Sequence, residues 1–290
     1  MADITTLVSD MYKVLTPSND GGVGAEVLKN FGDRMTNHVK QTFDFSEDRD
    51  REAGVIYASE VGERCTRKLY YKLTNTPQES IAPHTHYKFL YGDIVEEVTL
   101  LLAEASGHRV ENTQEKVVAT FGSWQVRGRI DATIDGVPVD VKSMSQYGFA
   151  NLPRNLDTYD DSFGYVPQVS FYRNYRFDSE QVGILGVDKS LGHIKLSLGH
   201  GTSKRDMERS IEETIKALDA GLPKKGYESI PDGKSGNMKL GVACSYCPFK
   251  AACWPGLRTF IYSKGPVFLE KVVKVPDVPE LLNSTGDTHD

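Results

Sequence analysis

The stretch Gly128-Arg-Ile-Asp-Ala-Thr-Ile-Asp-Gly-Val-Pro-Val-Asp-Val-Lys142 decides how the chain is organised. Its central dipeptide, Asp135-Gly136, is typical of the two-residue turn of a β-hairpin. The apolar and β-branched residues on either side predict strands over Trp124–Ile134 and Val137–Lys142, preceded by a strand over Lys116–Phe121. The sequence therefore predicts three consecutive strands, of which the last two form a hairpin.

Segments of helical and strand character alternate around these strands. Apolar residues recur at helical spacing from Thr85 to Ser106, and helices are also predicted over Tyr165–Arg176 and Asp206–Ala220. Two more strands are predicted over Val182–Val187 and Ile194–Leu198. This order predicts an α/β (α+β) fold with a central mixed β-sheet flanked by helices.

The composition changes at both ends of this core. Residues 1–55 are predicted to form an N-terminal helical arm and a polar linker, and residues 56–270 the main domain. Within that domain the segment 240–256 is rich in loop residues and holds three cysteines. Residues 271–290 are acidic and poor in apolar side chains, which predicts a flexible tail.

Two carboxylates and a lysine lie within the quoted hairpin. Asp131 and Asp140 fall on neighbouring strands, and their mutual repulsion favours a hard divalent cation such as Mg²⁺ or Mn²⁺. Lys142 shares a strand face with Asp140, where it could orient a metal-bound water for phosphodiester hydrolysis. The alternative is a surface hairpin with an Asp–Lys cross-strand pair, which the motif alone leaves equally open.

Two further helical segments carry candidate site residues. Glu96 and Glu97 lie in the helix before the hairpin, and either is a candidate third ligand, although Glu97 is nearer the apolar stripe. Gln168 and Tyr172 are four residues apart, on one face of the helix after it. The alternatives are a solvated glutamate pair, an exposed Gln168 and a Tyr172 that packs in the core.

The cysteines have metal-ligand spacing. Cys244, Cys247 and Cys253 form a C-x2-C-x5-C pattern, and Cys65 lies far upstream. Four thiolates suit either a tetrahedral Zn²⁺ or a 4Fe–4S cluster, and spacing does not choose between them. Four free buried cysteines are the weaker interpretation, because three of them fall in one loop.

Taken together, the motifs resemble those of the PD-(D/E)XK nucleases of the RecB type. They run from Gly92-x-x-x-Glu96 through Gly-Arg-Ile-Asp131 and Asp140-x-Lys142 to Gln168-x-x-x-Tyr172. The resemblance implies that Glu96, Asp131, Asp140 and the carbonyl of Val141 bind the metal ion, and that Lys142 is the catalytic lysine. It also implies that Gln168 and Tyr172 line the site and contact the DNA backbone. Many RecB-type members have His where this chain has Glu96.

The cysteine layout is similar to that of the iron–sulfur subgroup of the same superfamily. That subgroup includes CRISPR-associated RecB-like nucleases, the AddB nuclease domain and related phage exonucleases, whose first cysteine has the Cys-x-Arg-x-x-Tyr context seen at Cys65–Tyr70. The resemblance covers residues 60–256. It implies a structural 4Fe–4S cluster held by Cys65, Cys244, Cys247 and Cys253.

Charge and composition add weaker expectations. The net charge of −6 gives no overall basic surface for nucleic acid, so DNA binding would depend on local patches. Ten basic residues are candidates for such a groove or are ordinary solvated side chains: Arg64, Arg67, Lys68, Lys72, Lys224, Lys225, Lys234, Lys239, Lys250 and Arg258. No apolar run is long enough to span a membrane, and no signal peptide is visible, so a cytoplasmic location is expected.

The predicted activity is a metal-dependent DNA exonuclease that acts on DNA ends or single strands in recombination, repair or replication and is possibly phage-encoded. The alternatives are a nuclease that processes CRISPR spacers, a catalytically idle scaffold that binds DNA ends, and a zinc-stapled binding module. The intact Asp131, Asp140 and Lys142 count against the scaffold. No protein partner is predicted.

Overall fold

The computed structural model describes residues 3–16, 22–43, 51–80 and 82–281. The chain divides into two compact units: unit 1 comprises Met1–Glu63 and Ile81–Lys216, and unit 2 comprises Arg64–Ser80 and Ala217–Asp290. The predicted boundaries at residues 55 and 270 stay predictions. In the described part of the chain, no helix combines the length and apolar character that crossing a membrane requires.

Among the described residues, the helices in chain order are α1 (Leu7–Val14), α2 (Ala25–Thr42), α3 (Thr66–Leu73), α4 (Pro83–Ala105), α5 (Gln146–Asn151), α6 (Tyr165–Tyr175), α7 (Lys204–Asp219), α8 (Val242–Ser245) and α9 (Lys250–Cys253). The strands are β1 (Val55–Tyr57), β2 (Val110–Glu111), β3 (Lys116–Phe121), β4 (Trp124–Arg129), β5 (Ala132–Ile134), β6 (Val137–Met144), β7 (Val182–Asp188), β8 (Ile194–Gly199), β9 (Ile230–Pro231), β10 (Met238–Lys239), β11 (Arg258–Tyr262), β12 (Gly265–Lys271) and β13 (Glu280–Leu281). Short 3-10 turns occupy Ile4–Thr6, Ala58–Glu60 and Leu156–Thr158.

The centre of unit 1 is a five-stranded mixed sheet of order β2-β5-β6-β7-β8. The predicted hairpin between β5 and β6 is confirmed, and both turn residues have positive φ, 52° at Asp135 and 86° at Gly136. Strand β6 pairs with β7 in parallel, and β7 pairs with β8 antiparallel. The predicted fold class, a central mixed sheet with flanking helices, is confirmed.

Both faces of this sheet are covered by helices. Val139 and Val141 of β6 pack in one apolar cluster with α1 and α4, and the second cluster joins β7 to Val169 of α6. Because side chains alternate along a strand, Asp140 and Lys142 point away from the first cluster. The pattern of β6 therefore places its two charged side chains on the side of α6.

The single strand predicted over Trp124–Ile134 is wrong in one respect. Strand β4 belongs to a separate three-stranded sheet of order β1-β4-β3, whereas β5 belongs to the central sheet. The chain passes from one sheet to the other at Ile130 and Asp131. Ile130 is fully buried, and Asp131 lies outside both ladders, immediately before the β5–β6 hairpin.

Unit 2 contains α3, α8, α9 and a five-stranded sheet of order β13-β11-β12-β10-β9. The sequence analysis missed this sheet. Its longest pair, β11 and β12, is antiparallel and buries Phe260 and Leu269. Glu280 and Leu281, within the predicted tail, pair with β11. Residues 282–290 of that tail and residues 44–50 of the predicted linker lie outside the described part of the chain, and the tail stays a prediction.

Candidate active site and cysteine site

Asp140 and Lys142 form the buried part of the candidate active site. The Lys142 Nζ lies 2.8 Å from the Asp140 Oδ2, and the Asp140 side chain is fully buried. The Oδ1 atom of Asp140 has no hydrogen-bond partner among the described residues. A buried carboxylate oxygen without a donor is costly, and a bound cation would remove that cost.

Asp131 lies next to this pair because the hairpin brings β5 against β6. Its Oδ2 accepts a hydrogen bond of 2.7 Å from the backbone N–H of Val141. Burial and the charge of Asp140 raise the pKa of Asp131 to about 7, and burial also raises the pKa of Asp140. The two carboxylates predicted from the sequence are thus close enough to repel one another.

Glu96 is the third carboxylate of the group. Burial raises its pKa to about 9, and the charges of Asp131, Glu97 and Asp140 contribute to that rise. Its Oε1 accepts a 2.8 Å hydrogen bond from the side-chain amide of Gln114. The structure therefore brings Glu96, the residue that the family resemblance selected, together with Asp131 and Asp140.

Lys142 is the cation among these acids. Burial alone would lower the pKa of Lys142, but the Asp140 and Asp131 carboxylates outweigh burial and raise that pKa above its ordinary value. The Lys142 ammonium pairs directly with Asp140 and interacts electrostatically with Asp131 and Glu96, so the cluster keeps an excess of negative charge if all three acids are ionised. This donor set of hard oxygens fits a divalent cation such as Mg²⁺ or Mn²⁺.

Glu97 faces α2 rather than solvent. Its side chain is fully buried, its Oε2 accepts from Arg34 Nε at 2.6 Å, and its Oε1 lies 2.9 Å from His38 Nε2. The hydrogen bond to Glu97 raises the pKa of His38. Ligand atoms of His38, Glu96 and Glu97 lie within 4.8 Å of one another, so they are a second grouping able to bind a cation. The sequence analysis missed Arg34 and His38, since nothing in their spacing links them to α4.

Gln168 and Tyr172 lie on the side of α6 that faces the site. The charges of Asp140 and Asp131 help burial to raise the pKa of Tyr172, and a hydrogen bond from Gln168 lowers it. Tyr172 is only 2% exposed, and its hydroxyl would lie 2.8 Å from a Cβ placed on Gly128. The Tyr172 side chain is enclosed by protein in this structure, and its predicted contact with the DNA backbone stays a prediction. The role of the Val141 carbonyl stays a prediction.

The four cysteines meet inside unit 2. Burial raises the pKa of Cys244, and the charges of Cys247, Cys253 and Cys65 raise it further, so the four thiols are near enough to interact electrostatically. Cys65 lies at the N-cap of α3, and a Cβ placed on Gly226 would be 3.0 Å from its Sγ. Four thiols at one place fit a tetrahedral Zn²⁺ or a 4Fe–4S cluster.

Polar groups approach the cysteine sulfurs from several directions. The Arg67 side chain hydrogen-bonds to Cys253, the Trp254 side chain to Cys244, and the backbone N–H of Phe249 to Cys247, and each of these bonds lowers the pKa of its thiol. Donors of this kind stabilise thiolates over thiols. Burial still raises the pKa values of Cys244, Cys247 and Cys253 overall, so these donors offset only part of the cost of a buried thiolate, and a bound metal centre would offset the rest.

Three members of the predicted basic groove are engaged in ion pairs within unit 2. Lys250 is buried and pairs with Glu79, Arg258 pairs with Glu280, and Lys239 Nζ lies 2.9 Å from Asp232 Oδ1. A cation whose charge is already balanced attracts a phosphate less strongly. These three residues are therefore weaker candidates for phosphate contacts than the sequence suggested.

No family model matches the chain, and no curated protein matches it. Among solved structures, the protein named SSO0001 is 16% identical with a TM-score of 0.46, over 79% of this chain and 96% of that one. An alkaline exonuclease from Laribacter hongkongensis, LHK-Exo, is 14% identical with a TM-score of 0.42, over 58% of this chain and 90% of that one, and its complex with dAMP has a TM-score of 0.41. Likeness at this level carries no argument about function.

Proposed function

We propose that this chain is a divalent-metal-dependent deoxyribonuclease of the PD-(D/E)XK type that hydrolyses phosphodiester bonds. The observation that carries the proposal is the grouping of Glu96, Asp131 and Asp140 around Lys142, in which Asp140 Oδ1 is buried without a donor. Carboxylates gathered at this density favour a cation, and an adjacent lysine is the companion that phosphodiester hydrolysis needs.

The residues divide the work between binding and positioning. Glu96, Asp131 and Asp140 would hold Mg²⁺ or Mn²⁺, with the Val141 carbonyl as a further ligand. Such an ion lowers the pKa of a bound water and stabilises charge on a phosphoryl oxygen. Lys142, a cation fixed 2.8 Å from Asp140, would orient the attacking water and hold the scissile phosphate. Gln168 would lie beside the substrate, with Tyr172 behind it.

We assign the four cysteines to an iron–sulfur cluster of the 4Fe–4S type. Its role would be structural, because α3 carries Cys65 and the C-terminal part of unit 2 carries the other three ligands. One centre would join two segments of chain whose nearest ligands, Cys65 and Cys244, are 179 residues apart. Zinc is the alternative for the same ligands, and metal analysis distinguishes them.

We further propose exonuclease action on DNA ends or single strands. The test uses purified protein with end-labelled single-stranded DNA, end-labelled duplex and closed circular duplex, each with Mg²⁺, Mn²⁺ or EDTA. Cleavage of the linear substrates, with the circle intact and EDTA inhibitory, is the expected result. Cleavage of the circle would make the enzyme an endonuclease.

Two variants connect that activity to the site. Lys142→Ala should abolish cleavage and leave DNA binding largely intact, whereas Lys116→Ala, on an exposed position of β3, should behave as wild type. If a folded Lys142→Ala variant cleaves at the wild-type rate, the site assignment fails. If the wild-type protein binds DNA but cleaves none of the substrates with either metal, it is a binding scaffold.

A further inference from the structure

Two parallel aromatic rings, one exposed and one half-buried, lie beside the candidate active site. Phe163 is 65% exposed, and its ring stacks on that of Tyr165 with a centroid distance of 5.4 Å and an interplanar angle of 13°. A single exposed phenylalanine is common in proteins. A parallel pair whose outer ring is largely exposed is more specific, because it offers a flat π-surface backed by a second ring.

The inner ring of the pair contacts the catalytic group. The Lys142 Nζ lies 5.3 Å from the centroid of the Tyr165 ring. The order is therefore Lys142, Tyr165, Phe163, from the buried acids outward to solvent. A strand whose phosphate lies at Lys142 would have a neighbouring base within reach of the outer ring, because a nucleotide extends only about 6–7 Å along an unpaired strand, roughly twice the spacing between stacked bases.

The loop that carries the rings is held by one side chain. Asp161 accepts three backbone hydrogen bonds through its carboxylate: 3.1 Å from Phe163, 3.0 Å from Gly164 and 2.7 Å from Val166. Gly164 has a φ of 79° and packs against Gly62 so closely that an added Cβ would lie 2.9 Å from the Gly62 Cα. The backbone that carries the exposed ring is thus held before any ligand arrives, which lowers the entropic cost of binding.

We propose that Phe163 and Tyr165 form a stacking platform for an unpaired nucleobase of the DNA strand whose phosphate lies at Lys142. This inference rests on the proposed nuclease function and narrows it to strands with an unpaired base at the site: single-stranded DNA, overhangs and frayed ends. Bases inside a duplex already stack on both faces and have no free face for Phe163. Base–aromatic contacts of this kind are sequence-tolerant, since every base has a π-face.

Binding without cleavage tests the platform directly. The full-length protein is titrated with a fluorescent single-stranded oligonucleotide and with a blunt duplex of equal length, with Ca²⁺ replacing the catalytic ion. Phe163→Ala should weaken single-strand binding by about 5- to 100-fold and change duplex binding little. Phe163→Trp should retain single-strand affinity, because it keeps a flat ring. Phe89→Ala removes another exposed phenylalanine, on α4, and should have no effect.

Abasic substitutions locate the contact. A series of single-stranded oligonucleotides lacks one base at a time. At the position where the missing base weakens binding to the wild-type protein, the same missing base should not weaken binding to Phe163→Ala any further. An equal abasic effect in both proteins at every position would overturn the platform, as would wild-type affinity in Phe163→Ala. If Phe163→Ala folds poorly by thermal unfolding, Phe163→Leu removes the ring and keeps most of the apolar volume.

The outcomes separate this inference from the proposed function. If Lys142→Ala loses cleavage while Phe163→Ala binds DNA as the wild type does, the stacking platform is refuted and the proposed nuclease function is retained. No binding of any oligonucleotide, and no cleavage with Mg²⁺ or Mn²⁺, would overturn both. Equal weakening of single-strand and duplex binding by Phe163→Ala would show that the ring contacts DNA without selecting an unpaired base, which also refutes the platform.

Discussion

Arg34 Nε on α2 lies 2.6 Å from Oε2 of Glu97 on α4, and the Glu97 side chain is completely buried there. Arg34 also reaches Glu104 Oε1 at 3.0 Å, about two helical turns further along α4. These two ion pairs of Arg34 hold α2 against α4, the helix that also carries Glu96. Removing the Arg34 guanidinium should therefore weaken the fold around the candidate site.

Arg34→Met should destabilise the protein by about 3–5 kcal/mol, because it removes the Arg34 guanidinium from the buried carboxylate of Glu97 and leaves His38 as its one remaining hydrogen-bond partner among the described residues. The double variant Arg34→Met/Glu97→Leu should recover a large part of the lost unfolding free energy, since it also removes the buried carboxylate that Arg34 had neutralised. Urea unfolding measures both. Lys13→Ala breaks the exposed Lys13–Asp10 pair and is the control, with a much smaller effect expected. Equal effects for the control and Arg34→Met would contradict the prediction.

Substitutions of Glu96 and of Glu97 should affect different properties of the protein, activity in the first case and stability in the second. Glu96→Gln should lose most activity and keep its melting temperature, because that carboxylate belongs to the candidate metal site. Glu97→Gln should lose stability first and retain more activity per folded molecule, since its partners are Arg34 and His38. Initial rates and thermal unfolding on the same preparations check this. The reverse order would identify Glu97 as the ligand.

The metal-free protein should become less stable as pH rises. The folded-state pKa values of Asp131 and Glu96 are raised to about 7 and about 9, above their ordinary values near 4. Their contribution is therefore fully present below about pH 4 and is lost as pH rises through those folded values. In EDTA the melting temperature should fall between about pH 5 and 9, and added Mn²⁺ should raise it most at high pH.

The same experiment has an internal control. Glu96→Gln cannot ionise, so its melting temperature in EDTA should depend less on pH than that of the wild type. Other groups titrate in this range, and the difference between the two proteins isolates the Glu96 contribution. Parallel curves for wild type and Glu96→Gln would show that the glutamate does not repel its neighbours in the folded state.

Anaerobically purified protein should be brown and contain about four irons per chain if the four cysteines hold a 4Fe–4S cluster. Cys65→Ala should give poorly folded protein, because it removes the ligand that α3 supplies. EDTA should stop DNA cleavage without bleaching the visible absorption, since the two centres lie in different units. Stoichiometric zinc without iron would refute the cluster and leave the nuclease proposal in place.

Gly128 should not tolerate a methyl group. A Cβ there would lie 2.5 Å from the Ala58 Cβ and 2.8 Å from the Tyr172 hydroxyl, so Gly128→Ala should cost about 1–3 kcal/mol in unfolding free energy and reduce activity. Gly92→Ala is a matched control, since a Cβ placed on Gly92 would meet no atom within 4 Å outside its own stretch of α4. It should be neutral or stabilise the helix by up to about 1 kcal/mol. Similar losses in both variants would show that the Tyr172 contact is not the cause.

The sequence predicted the parts of the site that are close in the chain. Asp131, Asp140 and Lys142 share one hairpin, so turn chemistry and strand alternation were enough to bring them together. Helical periodicity could not decide whether Glu96 or Glu97 is the metal ligand. Both side chains are shielded from solvent, and each is shielded by different partners. The partner of Glu97 is Arg34, 63 residues away, and no local pattern encodes that contact.

Two errors have similar causes. The residue types of Trp124–Ile134 predict one continuous strand. In the structure, strand pairing divides this segment between two sheets at Ile130 and Asp131. The β11–β12 hairpin was missed although Thr-Phe-Ile-Tyr262 and Val-Phe-Leu269 flank the short turn at Ser263-Lys264. That turn was a usable signal, and the loop-rich cysteine segment before it obscured the change in pattern.

The positive-φ turn at Asp135-Gly136 has a kinetic consequence. Hairpins close within about 1–10 μs, far sooner than contacts between distant segments form. This one brings Asp131 and Asp140 together across only nine residues, whereas Glu96 must arrive on a helix that is itself placed by α2. During folding, two like charges thus meet before the rest of the site exists. If this hairpin is formed in the folding transition state, a divalent cation in solution should accelerate refolding. If the hairpin forms only later, the cation should slow unfolding instead.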